Sequence, residues 1–140
     1  MAATVDIGEW GTIHPCRKAD VGKRLALLAM QHKYGIKGIE ADAPTVKSVT
    51  YDGETAVVTF NCGYLGINPM GREVDGFELA GADKVFHPAK AKRKTNDTFH
   101  VWSKEVPEPV AVRYCFRNWQ LGNLANAGGL PLFPFRTDTW

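Results

Sequence analysis

The apolar residues follow two different periods along the chain. Over residues 19–34, Val21, Leu25, Leu28, Ala29 and Tyr34 recur at three- and four-residue intervals, and Leu27 and Met30 widen the stripe, which predicts one amphipathic helix. Gly35 supplies its C-terminal stop. Lys23, Arg24, Gln31 and Lys33 are expected to face water, while the Leu25 and Leu28 side needs a cover. Beyond Gly38 the period falls to two. Val46-Lys47-Ser48-Val49-Thr50-Tyr51 and Glu54-Thr55-Ala56-Val57-Val58-Thr59-Phe60 flank Asp52-Gly53, a pairing that suits a hairpin with a two-residue turn, because Gly accepts positive φ. Further strands are predicted at Gly76-Phe77-Glu78-Leu79-Ala80, Ala89-Lys90-Ala91-Lys92-Arg93, Thr98-Phe99-His100-Val101-Trp102 and Val110-Ala111-Val112-Arg113-Tyr114-Cys115-Phe116. Short strands at close spacing imply an antiparallel β-sandwich.

The two ends break this pattern. Residues 6–15 hold two glycines, Gly8 and Gly11, a proline and no sustained period, and read as an irregular loop leading into the helix. Residues 118–140 are interrupted by Gly122, Gly128, Gly129, Pro131 and Pro134. They also carry Leu121, Leu124, Leu130, Leu132, Phe133, Phe135 and Trp140, so burial should hold this tail in an ordered path. The expected fold class is mainly β, an antiparallel sandwich over residues 39–140, preceded by a loop-and-helix unit over residues 1–38.

Length and composition fit one ordinary globular body: 140 residues, 44% hydrophobic and 23% charged. No run of apolar residues is long enough to cross a bilayer as a helix. A formal net charge of +2, from 17 basic and 15 acidic residues, gives no electrostatic footprint for nucleic acid or an anionic membrane, so neither partner is expected. Residues 1–6 show neither the basic start nor the apolar stretch of a secretory signal, which leaves the compartment open. Cys16, Cys62 and Cys115 are an odd, widely spaced set, and reduced thiols are expected. With His14, His87 and His100 they do not form paired-ligand spacings for zinc, and neither metal nor cofactor is expected.

Candidate chemistry sits at the front of the chain, in Asp6-Ile7-Gly8-Glu9-Trp10-Gly11-Thr12-Ile13-His14-Pro15. A histidine on a loop just before a rigid helix can serve as general base, taking a hydroxyl proton near neutral pH and returning it to a leaving group. A solvent-exposed histidine with no task is the plainer alternative. A second group of strings lies at the far end: Pro109-Val110-Ala111-Val112-Arg113-Tyr114, Asn123-Leu124-Ala125-Asn126, and Gly129-Leu130-Pro131-Leu132-Phe133-Pro134-Phe135-Arg136-Thr137-Asp138-Thr139-Trp140. Between the two groups stand Gly76-Phe77-Glu78-Leu79-Ala80-Gly81 and Phe86-His87-Pro88-Ala89.

Together and in this order, these strings resemble the C-terminal portion of sialate O-acetylesterases of the SGNH-hydrolase type. The resemblance implies a serine esterase that removes O-acetyl groups from sialic acids, with His14 as general base. It also implies that residues 1–38 close an α/β/α catalytic domain and that residues 39–140 form an accessory β-sandwich. The partners it implies are an O-acetylated sialic acid or other acetylated glycan, and the rest of the catalytic domain. Members of the family are often secreted or periplasmic. The chain departs from the family pattern in its nucleophile: its two serines, Ser48 and Ser103, stand outside any Gly-Gln-Ser-Asn type segment. It departs again at the histidine's orienting carboxylate, since the position three before His14 is Gly11. Asp6, Glu9 or a backbone carbonyl could take that role. The expectation is therefore a chain that supplies the base and is inactive alone, or else a glycan-binding or bracing module with no chemistry of its own.

For substrate contacts, Arg113, Trp119 and Arg136 are the candidates, since a guanidinium can grip a carboxylate with two parallel bonds and an aromatic face can stack on a sugar ring. Trp102, Tyr114 and Trp140 could stack likewise, with core packing as the competing role. Salt bridges within the β region compete for the two arginines. Lys90, Lys92, Arg93 and Lys94, running into Thr95-Asn96-Asp97, read as the solvated edge of a hairpin.

Overall fold

A computed structural model describes residues 1–14, 16–71 and 73–140 of the chain. The fold is mainly antiparallel β with a single preceding helix, α1, at Lys18–Leu28. The strands are β1 (Thr45–Asp52), β2 (Thr55–Asn61), β3 (Ile67–Pro69), β4 (Phe77–Ala80), β5 (Phe86–Pro88), β6 (Lys90–Arg93), β7 (Thr98–Trp102), β8 (Ala111–Tyr114), β9 (Leu124–Asn126) and β10 (Phe135–Arg136). One four-stranded sheet runs β1-β2-β7-β6 and a second runs β10-β8-β4-β5, while β3 and β9 pair separately.

Burial explains why these two sheets face each other. Alternate residues of β2 (Ala56, Val58, Phe60) and of β7 (Phe99, Val101) point inward, as a half-buried strand requires. They share one core with Phe77, Leu79, Val112, Tyr114 and Phe135 of the second sheet. Phe60 meets Phe135 edge-on across the sandwich at 6.2 Å between ring centroids, and Phe77 and Tyr114 lie 4.9 Å apart within their sheet. Ile67 and Leu124 close the core from the small third sheet.

The β1–β2 hairpin forms, but its turn is one residue later than Asp52-Gly53. Asp52 pairs with Thr55, so Gly53-Glu54 is the two-residue loop, and only Gly53 takes positive φ (+54°). That satisfies the turn geometry with a single glycine, leaving Asp52 free to extend the ladder. Strands β3, β5, β9 and β10 are two or three residues long, too short to show a period, and are set by the partner they dock on. The tail is ordered as expected: Leu124, Leu130, Leu132 and Phe135 are buried.

The helix departs from its predicted form in two ways. It ends as an α-helix at Leu28 and continues as a wider π turn at Ala29–Lys33. That turn carries Gln31 and His32, which both reach Asp42, at 3.1 Å and 2.9 Å, while Ala41 donates its backbone N–H to Gln31 Oε1. The outward and inward faces also differ from the simple stripe. Arg24, expected in water, is buried at 8% exposure, whereas Leu25 remains 53% exposed. The cause is a carboxylate that the periodicity ignores: Arg24 grips Asp6 in the N-terminal loop and so turns its own face inward.

No helix among the described residues is long and apolar enough to cross a membrane.

Candidate active site

The loop that carries His14 is built from short-range polar ties. Glu9 and Thr12 form an isolated antiparallel bridge, and Gly11 takes a φ of +84°, which puts Trp10 and Gly11 at the tip of a tight turn. Thr12 Oγ1 then accepts the backbone N–H of His14 at 3.0 Å. Glu9 reaches past the histidine to accept the backbone N–H of Cys16 at 2.9 Å. That bond holds the Glu9 carboxyl below its ordinary range, and the same carboxylate pushes the Cys16 thiol up. Pro15 of the His14-Pro15 pair lies outside the described residues.

Helix α1 anchors this loop from below. Arg24 donates from Nη1 and Nη2 to the two Asp6 oxygens at 2.7 and 2.6 Å, and from Nη1 to the Ala3 carbonyl at 2.7 Å. A two-pronged guanidinium pair of this kind fixes orientation as well as distance. Asp6 raises the guanidinium's proton affinity through these bonds, although its ordinary value already keeps it charged. Asp20, in the first turn of α1, favours the helix start and pairs with Arg17 at 2.7 Å.

The sequence candidates therefore separate into two places. His14 is exposed, and its ring makes no hydrogen bond or ion pair among the described residues. Both candidate carboxylates have other partners, Asp6 in Arg24 and Glu9 in the Cys16 backbone, so the loop's own geometry is what they hold. Arg113 and Arg136 sit opposite each other in the β8–β10 register and converge on the buried Asp138. Arg113 donates to Asp138 at 2.9 and 2.6 Å and lies 3.8 Å over the Phe86 ring. The guanidinium holds the Asp138 carboxyl below its ordinary range. Arg113 thus ties the tail to the sheet, and Arg136 adds a contact within the tail.

Trp119 is the one substrate candidate that meets the histidine loop. Its ring stands edge-on to Trp10, with centroids 5.5 Å apart, so the β region and the loop touch through an aromatic pair. Trp10 is 78% exposed and Ile13 is 89% exposed, an apolar surface on the same turn that presents His14. Tyr114, by contrast, is core: burial pushes its hydroxyl pKa up, and its oxygen accepts the Leu124 backbone N–H at 3.0 Å. Burial likewise pushes the neighbouring Cys115 thiol up to about 11. Trp140 lies at the surface with Lys84 Nζ 5.2 Å from its ring centroid. Among the described residues no group of three or more metal-ligating side chains gathers.

Sequence reasoning passed over Trp10, Thr12 and Arg24. Trp10 and Thr12 lie in the same loop as His14, and their signal was nearness to it. Arg24 gave a clue only through its distant complement, Asp6.

No family model matches the chain, and no curated protein matches it. Among solved structures, it is similar to a carbohydrate acetylesterase from Xanthomonas citri, with 44% identity and a TM-score of 0.93. The alignment covers 99% of this chain and 32% of that one. This chain matches one segment of a carbohydrate acetylesterase. It spans about a third of that enzyme's length, and the likeness covers the whole β-rich fold described above.

Proposed function

We propose that the chain is the histidine-bearing segment of a carbohydrate O-acetylesterase, inactive alone and completed by a segment that supplies the serine and the oxyanion donors. The observation that carries this reading is the 44% identity over nearly the whole chain to a carbohydrate acetylesterase of which it spans only a third. The exposed face supports it. Trp10, Ile13 and Leu25 present apolar surface around the histidine loop, and an adjoining catalytic segment would bury it. The motif strings favour an O-acetylated sialic acid as substrate.

In this reading a His14 ring nitrogen takes the proton of the serine hydroxyl as its oxygen attacks the acetyl carbonyl. The tetrahedral intermediate then collapses, the sugar oxygen leaves with the proton from the imidazolium, and an acetyl-serine remains. Water, deprotonated by the same imidazole, releases acetate and restores the serine. The Arg24–Asp6 pair and the Glu9–Cys16 bond hold the loop still during both proton transfers. Trp119, against Trp10, offers the leaving sugar an apolar face.

Without a nucleophile and oxyanion donors, a lone base retains little catalysis. The chain alone is therefore expected to show no saturable turnover of p-nitrophenyl acetate. Covalent joining to a serine-containing SGNH segment should restore it, with O-acetylated sialic acid cleaved in preference to an acetylated neutral sugar. Saturable turnover by the chain alone that disappears in His14→Ala contradicts its inactivity alone; preference for the neutral sugar moves the substrate to another acetylated glycan.

A further inference from the structure

A groove of about 840 Å³ runs between the end of the π turn, residues 38–43, the loop after β2 at residues 61–65, and Phe133 of the tail. Its size is within the range of ordinary small-molecule sites, about 300–1,000 Å³. None of Asp6, Glu9, Trp10 or His14 lines it. Its lining joins apolar Ile39, Ala41 and Phe133 to the polar side chains of Gln31, Glu40, Asp42, Asn61 and Tyr64.

Those polar side chains divide by what they already hold. Gln31 and Asp42 are engaged with each other, with His32 and with the Ala41 backbone. Glu40, Asn61 and Tyr64 have side-chain polar groups with no partner among the described residues. Tyr64 lines the groove and is 97% exposed, so its ring is unpacked and available to a ligand. Glu40 is half-buried, and its carboxylate lies beside two glycines. A Cβ on Gly63 would fall 1.8 Å from Glu40 Oε1, and one on Gly128 would fall 3.4 Å from Oε2. Two glycines thus leave just the room that the carboxylate fills.

A carboxylate acceptor, an amide that both donates and accepts, and an exposed aromatic ring beside apolar lining complement a molecule with hydroxyl donors on its rim and an apolar face. We infer that this groove binds a neutral pyranose, with the ring against Tyr64 and a hydroxyl donating to Glu40. An acidic sugar is disfavoured, because its carboxylate would meet the uncompensated charge of Glu40. This inference stands on the groove alone and does not require that His14 act as a base.

The test is a titration of the 140-residue chain with xylotetraose, followed by backbone amide shifts in NMR. Saturable shifts centred on residues 61–65 are expected, with tetragalacturonate at least tenfold weaker. Tyr64→Ala and Glu40→Gln should each weaken binding about tenfold or more, consistent with the loss of a stacking face or a charge-assisted hydrogen bond. Gly63→Ala should do the same by displacing the Glu40 side chain, with the amide spectrum otherwise unchanged. His14→Ala should leave the affinity unaltered. The inference is overturned by an absence of saturable shifts at residues 61–65, by unchanged affinity in the Glu40 and Tyr64 variants, or by tetragalacturonate binding as tightly as xylotetraose. Because binding is read without hydrolysis, an inactive joined esterase leaves these outcomes untouched.

Discussion

His14→Ala, placed in a protein that joins this chain to a serine-containing hydrolase segment, is expected to lower kcat for acetyl-ester hydrolysis by about 10³-fold or more. Removing one member of a nucleophile–base pair costs nearly as much as removing both, because a serine hydroxyl without a proton acceptor is a poor nucleophile. The loss should fall on kcat, since the imidazole touches the reacting hydroxyl and not the bulk of the sugar. Steady-state kinetics on an acetylated sugar, with the variant's melting temperature alongside, checks this. A fall of less than tenfold with normal folding means that another group is the base. The prediction is sharp because His14 is exposed and makes no ring contact among the described residues, so its loss removes no packing and strands no partner.

The largest effect on stability is expected at the other end of the same loop. Asp6→Ala should destabilise the chain by about 2–3 kcal/mol, because it leaves the Arg24 guanidinium, only 10% exposed, without its carboxylate. The figure stays below that for a fully buried pair, since Asp6 itself is 31% exposed and water can reach its side. Arg24→Ala should cost a similar amount, for it breaks the Ala3 carbonyl bond as well as the pair. Arg24→Lys should not rescue it, because an ammonium cannot span both Asp6 oxygens. The double variant Asp6→Ala/Arg24→Ala should be less destabilised than the sum of its parts, as no buried charge is then left unpaired. Urea denaturation of the four variants measures this directly, and strict additivity contradicts the role given to the pair. In the joined protein the same Asp6 variant should lose activity at temperatures where it is still folded, as the histidine loop loosens from α1 before the sandwich melts.

Much of this architecture could be read from the sequence, and the unread part has a common cause. The helix and the longer strands of the two sheets show in residues such as Val21, Leu28, Val58, Phe60, Phe99 and Val101, whose spacing repeats within one element. The sandwich followed from those strands, and the buried tail from Leu124, Leu132 and Phe135. The four shortest strands were illegible because two or three residues carry no period; Leu124–Asn126 is a strand only because Ile67–Pro69 lies beside it. The inward turn of Arg24 was hidden for a related reason. A charged residue on a helix reads as solvent-facing unless its partner is known, and Asp6 lies 18 positions away in a loop without regular structure.

The site was legible in part. His14 is proposed as the base from its loop setting before a helix and from the strings around it. The tasks of Asp6 and Glu9 were not legible, since either could have turned to the imidazole on sequence grounds, whereas the structure gives them to Arg24 and Cys16. Arg113 and Arg136, candidates for substrate contact by residue type, meet instead at Asp138, whose burial no local pattern signals. Trp119 kept its candidacy through Trp10, a contact across 109 positions that no local pattern encodes.

The central claim is that the imidazole near the start of the chain is completed by a hydroxyl from elsewhere. A crystal structure of the joined protein gives the distance from the nearer His14 ring nitrogen to that serine Oγ. The account predicts about 2.6–3.2 Å, or one bridging water. A His14 ring pointing to open solvent, with the serine hydrogen-bonded to a different base, would contradict it.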